Sequence, residues 1–124
     1  YVFYSNDGTR ILVGRNNLQN DHLTLKQAKK EYLWLHAQNI PGSHVIVESA
    51  NPTDETIGQA AMLAAYYSKY RHSATVPVDY VSVSKIRKPN GSKPGFVVYE
   101  GQQNTYITPD EAVIQQIREN KLKE

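Results

Sequence analysis

A chain of 124 residues with 40% hydrophobic content is long enough for one domain with its own core, and it holds no apolar run near the roughly 20 residues that a membrane-spanning helix needs. The absence of cysteine excludes a disulfide framework, a thiolate metal site and a cysteine nucleophile, which suits a reducing compartment. The formal charge of +2 does not announce a polyanionic partner, but the bases are unevenly spread. Lys69, Arg71, Lys85, Arg87, Lys88 and Lys93 share their stretch with one acid, Asp79, for a local sum of +5.

Two short β-rich runs, residues 1–4 and 10–14, flank Ser5-Asn6-Asp7-Gly8, and Asp-Gly supplies residues that tolerate positive φ; this predicts a β-hairpin. Thr24-Leu25-Lys26-Gln27 reads as a capping box opening a short helix to about Lys30. Residues 32–36 read as a strand with large side chains on both faces. Pro41-Gly42 marks a turn, and His44-Val45-Ile46-Val47 is a β-branched run suited to a buried strand.

The longest helix is expected after Asn51 as its cap and Pro52 at its first position, with Asp54 and Glu55 complementing the dipole. Its stripe of Ile57, Ala60, Ala61, Ala64 and Ser68 is nearly all small, which predicts close approach to a sheet. Residues 76–83 supply another strand, with Pro77 confined to its start or to an edge. Residues 85–95 form a basic loop punctuated by Pro and Gly. Residues 96–99 and 104–107 read as a second hairpin around Gly101. Thr108-Pro109-Asp110-Glu111 then opens a helix toward Leu122, with Arg118, Lys121 and Lys123 at its C-terminal end. Interspersed strands and helices without regular βαβ repetition point to the α+β class, here as one domain over residues 1–124. Because the chain starts at Tyr1, we expect it to be a module of a longer protein.

The histidines His22, His36, His44 and His72 show no His-x-x-x-His spacing and have no thiol partners, so no metal is expected. Ser43 and His44 are adjacent on an extended segment and point to opposite faces, which removes them as a nucleophile and base pair. Phosphate loops and dinucleotide fingerprints are absent, and with no activated nucleophile we expect neither an enzyme nor a cofactor. What remains is the grouping of a phosphate-backbone binder: bases on loops, with aromatics that serve either as stacking surfaces or as core, namely Trp34, Tyr66, Tyr67 and Tyr80.

The strings Gly14-Arg15-Asn16-Asn17-Leu18-Gln19-Asn20-Asp21, Trp34-Leu35-His36-Ala37 and Ile40-Pro41-Gly42-Ser43-His44-Val45-Ile46-Val47 carry a family signature. With Ala60-Ala61, Tyr67-Ser68-Lys69, Val78-Asp79-Tyr80 and Lys93-Pro94-Gly95 they resemble, in order and spacing, the RNA-binding domain of NFACT proteins over roughly residues 3–100. The resemblance implies a C-terminal module of a cytoplasmic, ribosome-associated quality-control protein. Its implied partners are tRNA and the large ribosomal subunit obstructed by peptidyl-tRNA, where the parent protein supports C-terminal alanine tailing of the stalled chain. Bacterial members also carry a fibronectin/fibrinogen-binding adhesin label, which implies an alternative role at the cell surface. By position the resemblance assigns RNA contact to Arg15, Asn16, Asn20, Asp21, Trp34, His36, Ser43, His44, Lys85, Lys88 and Lys93, and the basic loop adds Arg87. Asn20, Asp21 and Trp34 equally suit a fold-defining role. The family usually has Asp two residues before the Trp, whereas this chain has Tyr32, so Glu31 is the candidate stand-in.

Overall fold

In the computed structural model, which describes residues 1–120, six strands form one antiparallel sheet in the order β1-β2-β4-β3-β5-β6. The strands are β1 (Val2–Tyr4), β2 (Arg10–Val13), β3 (Leu33–Ala37), β4 (Val45–Val47), β5 (Val76–Ser82) and β6 (Gln103–Ile107). Helices α1 (Asn17–Asp21), α2 (Asp54–Tyr66) and α3 (Glu111–Glu119) complete the expected α+β architecture. The first hairpin forms as its turn chemistry predicts, with Phe3 opposite Ile11 and Gly8 at φ +88°.

Alternation along the strands sends apolar side chains to both faces. Phe3, Ile11, Leu35, Val47 and Val78 point to one face, where α2 lies on them through Ala60, Ala61 and Ala64, and Ile114 and Ile117 of α3 close the layer. The small stripe therefore does what its composition predicts. Leu12, Trp34, Ile46 and Val81 point to the other face. Among the described residues no helix of ordinary length covers that side. It is closed by Leu23 and Leu25 from the segment after α1 and by Ile86, Val97 and Tyr99 from the segment before β6.

Four local expectations are corrected. The helix around residue 24 starts earlier, capped by Asn16, whose side chain accepts the Gln19 N–H. It continues as a wide π-type turn over His22–Gln27, and Thr24 is buried within it instead of capping anything. Helix α2 is capped by Thr53, whose hydroxyl accepts the Thr56 N–H at 3.1 Å, so Asn51 and Pro52 stand before the cap. Helix α3 is capped by Asp110, with Pro109 outside it, and it ends at Glu119; the expected run through Lys121, Leu122 and Lys123 lies outside the described residues.

The second hairpin does not form. Strand β6 pairs with β5, while residues 96–99 run across the sheet face and meet their own loop through one bridge, Arg87 with Val98. Burial of Val97 and Tyr99 against the Trp34 cluster wins over a ladder that would have left both on a sheet edge.

Candidate nucleic-acid interface

The irregular cover leaves a gap over the C-terminal end of β3. Trp34 and His36 are two residues apart on that strand and so share a face. Their rings stack at 5.6 Å between centroids and 7° between planes. His44, immediately before β4, meets Trp34 edge-on at 5.3 Å and His36 at 5.4 Å. Tyr99 closes the group at 4.7 Å from Trp34. Above these rings lies a cleft of about 360 Å³, walled by Asn39, Ile40 and Pro41 on one side and by Gly95 and Phe96 on the other.

Hydrogen bonds set the tautomers. The Gly95 carbonyl can only accept, so His44 Nε2–H donates to it at 3.0 Å, and Nδ1 must accept from the Thr24 hydroxyl at 2.7 Å. His36 Nε2–H likewise donates to the Gly42 carbonyl at 3.2 Å. Burial pushes both imidazoles below their ordinary value, and His44, which also faces His36, is lowered to about 4. Both rings are therefore neutral near pH 7. Below them Asp79 is buried on β5, where Tyr99 Oη–H donates to Oδ2 at 2.7 Å and Gln38 Nε2–H to Oδ1 at 3.1 Å. Burial and that carboxylate push the Tyr99 phenol up, so it stays a donor. The Trp34 indole N–H is buried without a hydrogen-bond partner among the described residues.

The wall at Gly95 is pinned from three sides. Asp21 Oδ1 accepts the Gly95 N–H at 3.0 Å, and its other oxygen lies 3.3 Å from Lys88 Nζ. Lys88 in turn donates to the carbonyls of Lys93 and, at 2.9 Å, Phe96. Gly95 has φ +85°, and an added Cβ would lie 2.7 Å from Asn17 Oδ1, so this position admits only glycine without rearrangement.

A second hollow lies across the Pro41-Gly42-Ser43 segment, lined by Arg15, Asn16, Asn17, Asn20, Tyr67 and Lys69. Arg15 and Lys69 are exposed there, and no carboxylate lines the hollow. Asn20 is buried beneath it, with Oδ1 accepting the His44 N–H at 3.1 Å. An added Cβ on Gly14 would fall 1.9 Å from that same oxygen, which accounts for the glycine.

The sequence-assigned residues thus separate into groups. Trp34, His36 and His44 line the cleft, Asp21 holds its Gly95 wall, and Arg15, Asn16, Asn20 and Ser43 line the adjoining hollow. Asn16, Asn20, Asp21 and Lys88 hold backbone in place, so their placement already has a structural reason. Lys93 is exposed on the loop that Lys88 ties down. Arg87 is exposed beside the Val98 bridge. Lys85 and Glu31 sit near the opposite end of β3, since Leu33 pairs with Ser82 and the Ser84 N–H reaches the Lys30 carbonyl. That end is roughly 10 Å from His36 at about 3.3 Å per residue. Tyr32, at the position of the usual Asp, faces the Trp34 cluster, and Glu31 is exposed beside it.

Of the four aromatics named as stacking surfaces or core, Trp34 is core, only 1% exposed, and Tyr66, Tyr67 and Tyr80 pack on the helical face. The open ring at the cleft is Phe96, 53% exposed, which periodicity had placed in a strand. Sequence reasoning also missed Thr24, Tyr99 and Asn39 as members of the site. Asn39 carried the one available signal, an Asn before Ile40-Pro41, and it adopts φ 56°.

The model for the NFACT protein RNA binding domain matches residues 1–106. The Rqc2 homolog RqcH of Bacillus subtilis (strain 168) is 49% identical over 109 residues, covering 88% of this chain and 19% of that protein. Its counterpart in Streptococcus suis (strain 05ZYH33) is 52% identical over 118 residues, covering 94% of this chain and 21% of the relative. Among solved structures, the C-terminal part of the fibronectin/fibrinogen-binding protein from Streptococcus suis superposes with a TM-score of 0.91 at 52% identity, over 94% of this chain and 48% of that one. The chain spans about a fifth of the length of the curated relatives it matches.

Proposed function

The chain belongs to the family of NFACT protein RNA-binding domains, and from that premise we propose that it is the RNA-contacting module of a cytoplasmic, ribosome-associated quality-control factor. In this reading the parent protein engages the obstructed large subunit and its peptidyl-tRNA, recruits tRNA and supports alanine tailing. The module itself supplies contacts and leaves peptide transfer to the ribosome. The observation that carries the reading is the adjacency of a neutral, ring-lined cleft to a hollow holding Arg15 and Lys69 without a facing carboxylate. Nucleic acid offers that pairing of flat rings with phosphates.

Titration with large-subunit particles and with tRNA at two salt concentrations tests it. Binding is expected to weaken with salt, and Arg15→Ala with Lys69→Ala to flatten that dependence by about one to two units of slope. Binding to neither partner by the intact parent protein, or an unchanged slope in the folded double variant, overturns the reading.

One observation favours a second reading, in which the module pairs with an extended segment of fibronectin or fibrinogen at the cell surface. Strand β6 is an open sheet edge, with Gln103, Asn104 and Tyr106 exposed, and such an edge accepts an added strand. Saturable, salt-resistant fibronectin binding that is lost on placing Pro at Thr105 and survives Arg15→Ala with Lys69→Ala would establish it.

A further inference from the structure

Phe96 combines two properties that seldom coincide in a loop: it is half exposed, and its backbone is held on both sides. Asp21 takes the Gly95 N–H, His44 donates to the Gly95 carbonyl and Lys88 to the carbonyl of Phe96 itself. An apolar ring presented to solvent on a fixed backbone is pre-organised for contact, because little conformational freedom is left to lose on binding. Across the cleft stand Ile40 and Pro41, with the exposed Asn39 at the rim.

The floor limits what can enter. The Nε2–H groups of His36 and His44 are already donated to Gly42 and Gly95, and both rings are neutral, so the floor offers flat π surface instead of charge. Among the described residues an anion finds no positive charge there, and the unpaired Trp34 indole N–H is buried beneath the rings. A planar, uncharged heterocycle gains stacking against Phe96 and keeps its polar edge at the open rim, where the Asn39 carboxamide offers both a donor and an acceptor. At about 360 Å³ the cleft lies within the range of small-ligand sites. The anion is provided for next door, since Pro41 belongs to the walls of both the cleft and the Arg15–Lys69 hollow.

We propose that this cleft is a subsite for one unpaired RNA base, stacked against Phe96, with the adjoining backbone phosphate seated between Arg15 and Lys69. The proposal rests on the RNA-binding reading above and narrows it to single-stranded or splayed-out RNA, since a base inside a duplex cannot reach a cleft. Asn39 can present either hydrogen-bonding group, so the subsite accepts any of the four bases with modest preference.

Trp34 is the chain's only tryptophan and lies beneath the cleft, so its fluorescence reports occupancy. The 124-residue chain is titrated with an RNA tetranucleotide, the same strand with one abasic site at each position in turn, its duplex, and adenosine. Binding of the single strand is measured separately by filter retention. The expected result is a saturable Trp34 change with the intact single strand and with adenosine, little with duplex, and a loss of about tenfold when one particular base is removed. Phe96→Ala weakens the intact strand by about the same factor and erases the abasic difference, whereas Phe96→Tyr retains it. Arg15→Ala with Lys69→Ala weakens the strand but leaves adenosine unaffected. Retention of the single strand that is indifferent to Phe96→Ala and to every abasic site overturns the subsite while the RNA-binding reading stands. A Trp34 response to adenosine with no retention of any RNA overturns both the RNA source of the base and that reading. No response and no retention overturns both as well.

Discussion

His44 is held neutral by its neighbours: burial lowers its pKa to about 4, the facing His36 adds to this, and the Gly95 carbonyl and Asp21 only partly oppose it. In the unfolded chain an imidazole titrates near 6.5. The folded value is the lower one, so the stabilisation is present above pH 6.5 and is lost as pH falls toward 4. At 1.36 kcal/mol per unit the loss approaches about 3 kcal/mol, with His36 contributing in the same direction. Urea denaturation between pH 7.5 and 4.5 should show stability falling as pH drops, and His44→Gln should remove most of that slope. Asp79 gives a second residue-scale expectation. Its two carboxylate oxygens are served by Tyr99 and Gln38 in a buried position, so Tyr99→Phe removes one donor and keeps the ring's packing. The cost is expected at about 1.5–3 kcal/mol in a denaturation midpoint at constant m-value. An effect below about 0.5 kcal/mol would show that Gln38 alone satisfies the carboxylate.

At the scale of elements, the segment after α1 decides how the site is built. The Ala28 N–H reaches back five residues to the Leu23 carbonyl, a wider turn than an α-helix makes, and this turn places Leu23 on the second core and Thr24 under His44. A capping box needs only local sequence, but the Thr24 hydroxyl is taken by a residue 20 positions away. Caps can be checked directly. Thr53→Ala should cost about 1 kcal/mol of stability, since it removes the acceptor for the Thr56 N–H. Asn51→Ala should stay within about 0.5 kcal/mol, because Asn51 is exposed and precedes the helix. Equal losses in the two variants would return the cap to Asn51. The small-residue face of α2 makes the opposite kind of demand. Ala64 is fully buried against the sheet, and Ala64→Leu is expected to destabilise by about 1–3 kcal/mol through overpacking, read from thermal melts.

Over the whole molecule, the two sheet faces are finished differently, and the cleft follows from that difference. Helices seal one face with close-packed small residues, whereas the other is covered by irregular chain that leaves the end of β3 open between Phe96 and the 39–41 turn. Positive charge is divided too: Arg15 and Lys69 line the hollow beside the cleft, while Lys85 lies near the far end of β3. Charges that act on separate parts of a bound strand contribute independently. Lys85→Ala is therefore expected to lower the salt slope for ribosomal RNA by at most about 0.7 unit, and to add to Arg15→Ala with Lys69→Ala without coupling. Retention measured over a salt series in the three variants checks this. Strong coupling between Lys85 and the Arg15 pair would place both on one phosphate track.

Local chemistry alone determined much of this protein. Asp-Gly made the first hairpin, β-branched runs made the central strands, alternation showed that β3 buries both faces, and the alanine stripe marked α2 as the helix nearest the sheet. These features depend on neighbours within a few residues, which is why they are legible in order. The string from Gly14 to Asp21 and the pair Trp34-x-His36 are polar or aromatic residues at fixed offsets, and the fold brings members of both to the cleft and its adjoining hollow. Only the tertiary structure decided what those residues do. Trp34 became floor instead of platform, Lys88 became the clasp of its loop, and residues 96–99 became a cover for the second core with Phe96 left open at its rim. Each outcome depends on burial against partners tens of residues away, and a one-dimensional pattern carries no information about which long-range contact removes the most apolar surface from water.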